Sequence, residues 1–253
     1  MNRKICSTLI LTAAVLAASS FAAEFAVPIE EAHGIDAWRS KSAVSAEIRV
    51  TFGGNLMIDG TLLMDPSGGH VRMELEGGTV LGYDDGDAWV APAEAEIQGA
   101  RFHVLTWPYF LAAPMKLRDP GSRLEDLGKR PFRDGRERPA AKLTFGDGVG
   151  DTPDDWYVVY RDDQNRLVSM AYIVTFGKSV EEAEEEPHAI SYSEFKEIDG
   201  VVISHRWQFW NWNEADGIVG DAIGEATLEN VSFVEPAADA FTRPADARSA
   251  ELP

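Results

Sequence analysis

Short runs of alternating apolar and polar residues, most of them closed by Asp-Gly or Gly-Gly, restrict what this chain can fold into. Val44–Phe52 ends at Gly53-Gly54, Leu56–Met64 at Asp65-Pro66-Ser67-Gly68-Gly69, and Val71–Leu75 at Glu76-Gly77-Gly78. Val80–Tyr83 turns through Asp84-Asp85-Gly86-Asp87 into Ala88–Ala91. Connections this short join antiparallel neighbours, because a parallel pair needs a long crossover. The second half repeats the grammar with longer strands. Trp156–Arg161 and Leu167–Phe176 flank the polar loop Asp162–Asn165, and Ile190–Ile198 meets Val201–Trp212 across Asp199-Gly200. Ala226–Val234 supplies a closing strand. A mainly β fold with a few helices follows (α+β): one large, curved antiparallel sheet. An amphipathic helix is expected between Pro28 and Ser42, with Ile29, Ala32, Ile35 and Trp38 on one face.

Several strands are apolar on both faces. Leu167–Phe176 carries Val168, Met170, Tyr172, Val174 and Phe176 on one side, with Leu167, Ala171 and Ile173 on the other. Val201–Trp212 presents Ile203, Trp207 and Phe209 on one side, with Trp210 and Trp212 on the other. A sheet with one wet face alternates cleanly, so both sides are covered here, by helices, by more protein or by a ligand. The segment Val104–Leu117, VLTWPYFLAAPMKL, is apolar almost throughout, while Pro108 and Pro114 argue against one continuous long helix. It reads equally as a lid over the mouth of the sheet and as a core-packing connection.

Charge narrows the partners. The net charge of −19 argues against nucleic acid, which requires a Lys/Arg surface, and against docking on anionic lipid by charge alone. Residues Met1–Ala22 have the pattern of a secretory signal: Arg3 and Lys4, an apolar run from Leu9 to Ala18, and small residues at Ser20 and Ala22. Cleavage after Ala22 would remove Cys6, the single cysteine, leaving no disulfide and no thiol nucleophile. Export to a bacterial periplasm is the expectation, with residues 23–235 as one domain and 236–253 as a flexible tail.

The catalytic inventory is thin. His33, His70, His103, His188 and His205 show no paired metal spacing, and no nucleophile elbow, phosphate loop or dinucleotide fingerprint occurs. His205 reads as a structural histidine. Asp147, Asp151, Asp154 and Asp155 lack the spacing of a calcium loop, and Glu181–Glu186 reads as a solvated run. No catalytic residue, metal or cofactor is assigned.

The stretch GTLLMDPSGGHVRME, followed by DDGDAWV, resembles the early strands of periplasmic lipoprotein carriers of the LolA/LolB-like group, and YVVYRDDQNRLVSMAYIV resembles a hairpin of that family. The segments YFLAAPMKLRDPG, DTPDDWYVVY and WQFWNWNEADGIVGDAIGEATLENVSFVE are similar to exported bacterial proteins known as outer-membrane lipoprotein-sorting proteins. The resemblance implies a half-open β-barrel, covered by short helices, whose concave face holds acyl chains. Where the carriers place an arginine before the strand-ending proline, this chain has Asp65 before Pro66, and Arg72 is the neighbouring arginine.

These readings converge on a binding or carrier protein for a lipid, a lipoprotein acyl chain or another apolar ligand. Trp107, Tyr109, Phe110 and Met115 would form the lid; Met170, Tyr172, Trp207 and Phe209 would line the sheet, with Arg72 beside it. A monomer is expected, with an envelope protein as a further partner. The alternatives are a scaffold whose concave face is filled by its own side chains, and an exported hydrolase using Asp84, Asp85 and Asp87 near His70 and His103.

Overall fold

The computed structural model describes residues 21–133 and 135–252. Its centre is a single sheet of thirteen strands among these residues, every neighbouring pair antiparallel. Five strands form a first meander: β1 (Ala43–Phe52), β2 (Asn55–Met64), β3 (His70–Leu75), β4 (Val80–Asp84) and β5 (Asp87–Ala91). Seven form a second: β6 (Ser122–Pro131), β7 (Glu137–Phe145), β8 (Tyr157–Arg161), β9 (Leu167–Tyr172), β10 (His188–Ile198), β11 (Val201–Asn213) and β12 (Gly217–Val234). The two are joined side by side through β1 and β12, and β13 (Arg248–Ser249) adds to β5. The edges, β13 and β6, do not pair with each other, so the barrel is open.

The turns carry this topology. Asp199 and Gly200 both take left-handed φ values, 48° and 83°, and set Ile198 opposite Val201. That is the two-residue geometry whose twist matches antiparallel strands. Gly217 opens β12 at φ 74°, and a Cβ there would lie 2.4 Å from the Pro131 carbonyl oxygen. Only glycine lets β12 start so close to the end of β6.

Helix α3 (Ala100–Ala112) follows β5 and crosses the inner face. It packs against β3, β4 and β5, while its Phe110 and Trp107 rings meet Tyr172 of β9 and Phe209 of β11. One helix touching strands from both meanders requires the sheet to curl around it. Residues 21–32 are helical (α1), burying Phe25, Ala26 and Ile29, and α2 (Ile35–Arg39) follows after a turn at Gly34. Glu30, 1% exposed, is held by the Arg118 guanidinium through both carboxylate oxygens. No helix among the described residues is long and apolar enough to cross a membrane.

The two-faced strands have two cores. Met170, Tyr172, Trp207 and Phe209 belong to the inner cluster with α3; Ala171, Trp210 and Trp212 belong to a smaller outer one. The outer cluster is roofed by the β6–β7 turn: the Phe132 ring lies 5.5 Å from that of Tyr160, tilted against it, and the Arg133 guanidinium sits 3.6 Å over Trp210. More protein therefore covers the outer face of these strands. A register shift at Tyr160/Arg161 leaves Val168 without a partner on β8 and turns Leu167 to the inner side with Met170, the reverse of a strict alternation.

Several sequence expectations need correction. The N-terminal helix does not start at Pro28: residues 21–32 are helical through that proline, and Gly34 breaks the run before Ile35. The signal segment otherwise falls on residues outside those described; Phe21 and Ala22 are helical and pack against the core. Pro108 does not break α3, whose regular turns continue to Ala112. The helix gives way instead to a 3-10 turn, Ala113–Met115, at Pro114. Glu181–Glu186 is not all loop: Val180–Glu184 forms α4, closed by a capping box between Ser179 and Glu182. The tail is docked: Arg248 and Ser249 pair with Val90 and Trp89, and Ala250 is buried with its N–H on the Ala88 carbonyl at 2.7 Å.

Candidate functional site

Between α3 and the concave face lies a cavity of about 450 Å³. Its walls are overwhelmingly apolar. Phe102, Val104, Leu105, Trp107, Pro108, Tyr109 and Phe110 come from α3; Tyr157, Tyr172, Val174, Phe176 and Phe209 come from the second meander; Phe52, Met57, Met64 and Val71 come from the first.

The helix presents so many lining residues because it is apolar nearly all round, so one side packs on the sheet while another is left for the cavity. Its rings interlock with the strands. Trp107 lies edge-on to Phe209 at 6.1 Å, Phe110 lies 5.4 Å from Tyr172, and Tyr109 lies 5.4 Å from Tyr157. The Trp107 indole N–H donates to His103 Nδ1 one turn earlier, at 3.1 Å. Burial drives the His103 pKa down to about 4, so this histidine is a neutral acceptor near neutral pH.

Both ends of the helix are fastened. At its start, Arg101 makes a two-pronged pair with Asp151, at 2.5 and 2.8 Å, and also donates to the Gly86 and Ala250 carbonyls. At its end, Tyr192 on β10 donates its hydroxyl to the Phe110 carbonyl at 3.1 Å.

The structure brings five of the nine expected binding residues to the cavity: Trp107, Tyr109, Phe110, Tyr172 and Phe209. Met115, Met170 and Trp207 are buried in the inner core with Phe110, Tyr172 and Phe209 and are not among the residues that line the cavity. Arg72 is elsewhere: its Nε is 2.8 Å from Glu74, beside a surface depression formed with residues 237–244. Sequence reading missed Tyr157, Phe102, Leu105 and the β1–β3 wall, although Leu105 lies inside the apolar segment that stood out.

The groups named for a hydrolase do not share a cleft. His103 borders the α3 cavity with its Nδ1 taken by Trp107, Asp87 pairs with Arg243 at 2.9 Å, and His70 meets Asp84 at 3.2 Å where β3 and β4 pair. His70, Asp84 and Asp85 lie close enough to one another to chelate an ion, but Asp84 and Asp85 are exposed and none of the three borders the cavity. Of the second acidic group, Asp151 is committed to Arg101 and Asp155 to Thr152 and Thr175. Burial raises the Asp155 pKa. His205 is structural, its Nδ1–H directed to the Leu228 carbonyl at 2.9 Å.

No family model and no curated protein matches the chain. Solved structures do. A LolA superfamily protein from Nitrosomonas europaea superposes with a TM-score of 0.54 at 12% identity, over 86% of this chain and 96% of that one. A DUF1329 family protein from Desulfovibrio piger gives 0.53 at 13% identity, over 87% and 97%. An outer-membrane lipoprotein-sorting protein domain from Vibrio parahaemolyticus gives 0.49 at 13% identity, over 85% and 95%. At these identities the likeness is one of fold: this chain has the open, helix-covered antiparallel barrel of the LolA-like proteins.

Proposed function

We propose that the protein is a non-enzymatic periplasmic carrier that holds the acyl chain of a lipid or lipoprotein between α3 and the concave sheet. The observation that carries this reading is the apolar cavity of about 450 Å³ beneath a helix fastened at its two ends. Its size lies within the ~300–1,000 Å³ range of small-molecule sites. At roughly 30 Å³ per water-sized group it takes on the order of fifteen methylenes. Each methylene withdrawn from water contributes about 0.8 kcal/mol, so a single chain gives useful affinity without polar recognition.

The LolA-like fold supports the same reading, as does the signal-like sequence of residues 1–22 for export. Met115, Met170 and Trp207 act as the packed backing of the site rather than as its lining. A protein partner in the envelope would deliver or receive the ligand. The test is native mass spectrometry on protein purified gently from periplasm, with extraction of what it carries. A co-purifying acylated species supports the carrier. Protein that arrives empty and also ignores fluorescent acyl probes indicates a scaffold.

A further inference from the structure

Three tyrosines stand together in the largely apolar wall of the cavity, which Tyr83 of β4 also borders: Tyr109 on α3, Tyr157 on β8 and Tyr172 on β9. Their rings form a chain, 5.4 Å from Tyr109 to Tyr157 and 6.3 Å from Tyr157 to Tyr172. A core that only needed filling would use phenylalanine here, because a buried hydroxyl without a partner costs free energy. Among the described residues none of the three hydroxyls makes a hydrogen bond, and none is sealed against solvent in the way the Trp89 and Trp207 indole nitrogens are. Tyr192 is the contrast: facing the same aromatic cluster, it spends its hydroxyl on the Phe110 carbonyl. Three residues that line the cavity thus carry phenol donors that are unspent.

The charges around them select what they can bind. Among the described lining residues the basic groups are Lys116, His103 and His188. Lys116 is occupied by the Ser67 carbonyl at 2.8 Å and Asp119 at 2.9 Å. Burial lowers the pKa of both histidines, which leaves them neutral near neutral pH. Burial, then Asp119 and Asp155, raises the Tyr109 phenol pKa, and burial, then Tyr109 and Asp155, raises that of Tyr157, so negative charge lies close to both. A carboxylate or phosphate entering here would lose water, meet negative charge and find no free cation.

We infer that the tyrosine trio is a polar subsite for an uncharged acceptor, such as the ester carbonyl of an acylated glycerol, and that the cavity selects neutral acyl esters over free fatty acids. This rests on the reading of the cavity as an acyl-chain site. The test is displacement of an apolar fluorescent probe from the purified full chain at pH 7.5, comparing glycerol mono-oleate, methyl oleate and oleate.

Both esters should bind about tenfold more tightly than oleate, the worth of one to two hydrogen bonds. The Tyr109→Phe/Tyr157→Phe/Tyr172→Phe variant should weaken the esters by that factor relative to oleate, each affinity being corrected for the variant's own affinity for the probe. Tyr157→Phe alone, which removes one hydroxyl, should give a partial loss and serves if the triple variant does not fold. Oleate binding as tightly as the esters, or an ester preference that survives the phenylalanines, overturns the subsite and leaves the carrier standing. Failure of the probe and every oleoyl compound to bind overturns both.

Discussion

The Tyr192 hydroxyl donates to the Phe110 carbonyl at 3.1 Å, and the reason lies four residues further along the chain, at Pro114. In a regular helix the N–H of residue 114 would bond that carbonyl, and proline has none. The side chain of β10 therefore supplies the missing donor and pins the end of α3 to the sheet. Tyr192→Phe keeps the ring and strands the carbonyl. It should cost about 1–3 kcal/mol and raise amide exchange through 105–113. Differential scanning calorimetry and exchange mass spectrometry check the two effects.

Arg101 fastens the other end of α3. Its guanidinium grips Asp151 and two carbonyls from separate loops, with little solvent access for either partner. Arg101→Ala should lower stability by about 2–3 kcal/mol, since the carboxylate loses its paired charge in a half-buried place. Arg101→Lys should not restore the wild-type value, because an ammonium cannot make the two-pronged contact. Urea melts of the three proteins decide it.

Acid should unfold this protein through its histidines before its carboxylates titrate. His33 is 1% exposed and uses both ring nitrogens: Nδ1–H donates to the Val202 carbonyl at 2.8 Å, and Nε2 accepts the Leu167 N–H at 3.0 Å. Desolvation brings its pKa down to about 4, as it does for His103. Below the ordinary value of about 6.5 the unfolded chain takes up protons that the folded one refuses, so stability falls as pH drops from 6.5 towards 4 and is lost fully below that. The loss should reach a few kcal/mol per histidine. His33→Gln, already less stable at pH 7.5, should show a shallower decline in Tm between pH 7 and 5.

Lining and backing residues should separate experimentally. Leu105 is half-buried and borders the cavity, so Leu105→Trp projects bulk into existing space. It should weaken acyl-probe binding by about tenfold or more, several displaced methylenes' worth, and shift Tm little. Trp207 is 1% exposed and does not line the cavity. Trp207→Ala should cost about 3–5 kcal/mol of stability.

What could be read from the sequence was what local chemistry dictates. The Asp199-Gly200 hairpin and the first meander were legible because their turns demand particular residues. The β6–β7 hairpin was not: Arg123, Glu125, Lys129, Arg130 and two prolines hide its alternation, and its partner, the Trp210–Trp212 face, is distant in sequence. Pro108 misled in the other direction, since a helix held by tertiary packing tolerates the one backbone hydrogen bond that a proline cannot donate. In the site, the aromatic identity of the wall was legible from Trp107, Tyr109 and Phe110. Which aromatics line the cavity and which back it depends on ring packing between α3 and β9–β11, and one strand's sequence cannot separate Trp207 from Phe209.

The most direct test places the ligand. An acyl glycerol with a diazirine at the chain terminus, photolysed on the purified protein and mapped by peptide mass spectrometry, reports which side chains surround the hydrocarbon. Adducts concentrated in 102–110 and 172–176, suppressed by unlabelled mono-oleate, are the predicted result. Adducts on the outer cluster around Phe132, Trp210 and Trp212, or labelling that excess ligand does not suppress, would contradict an acyl chain beneath α3.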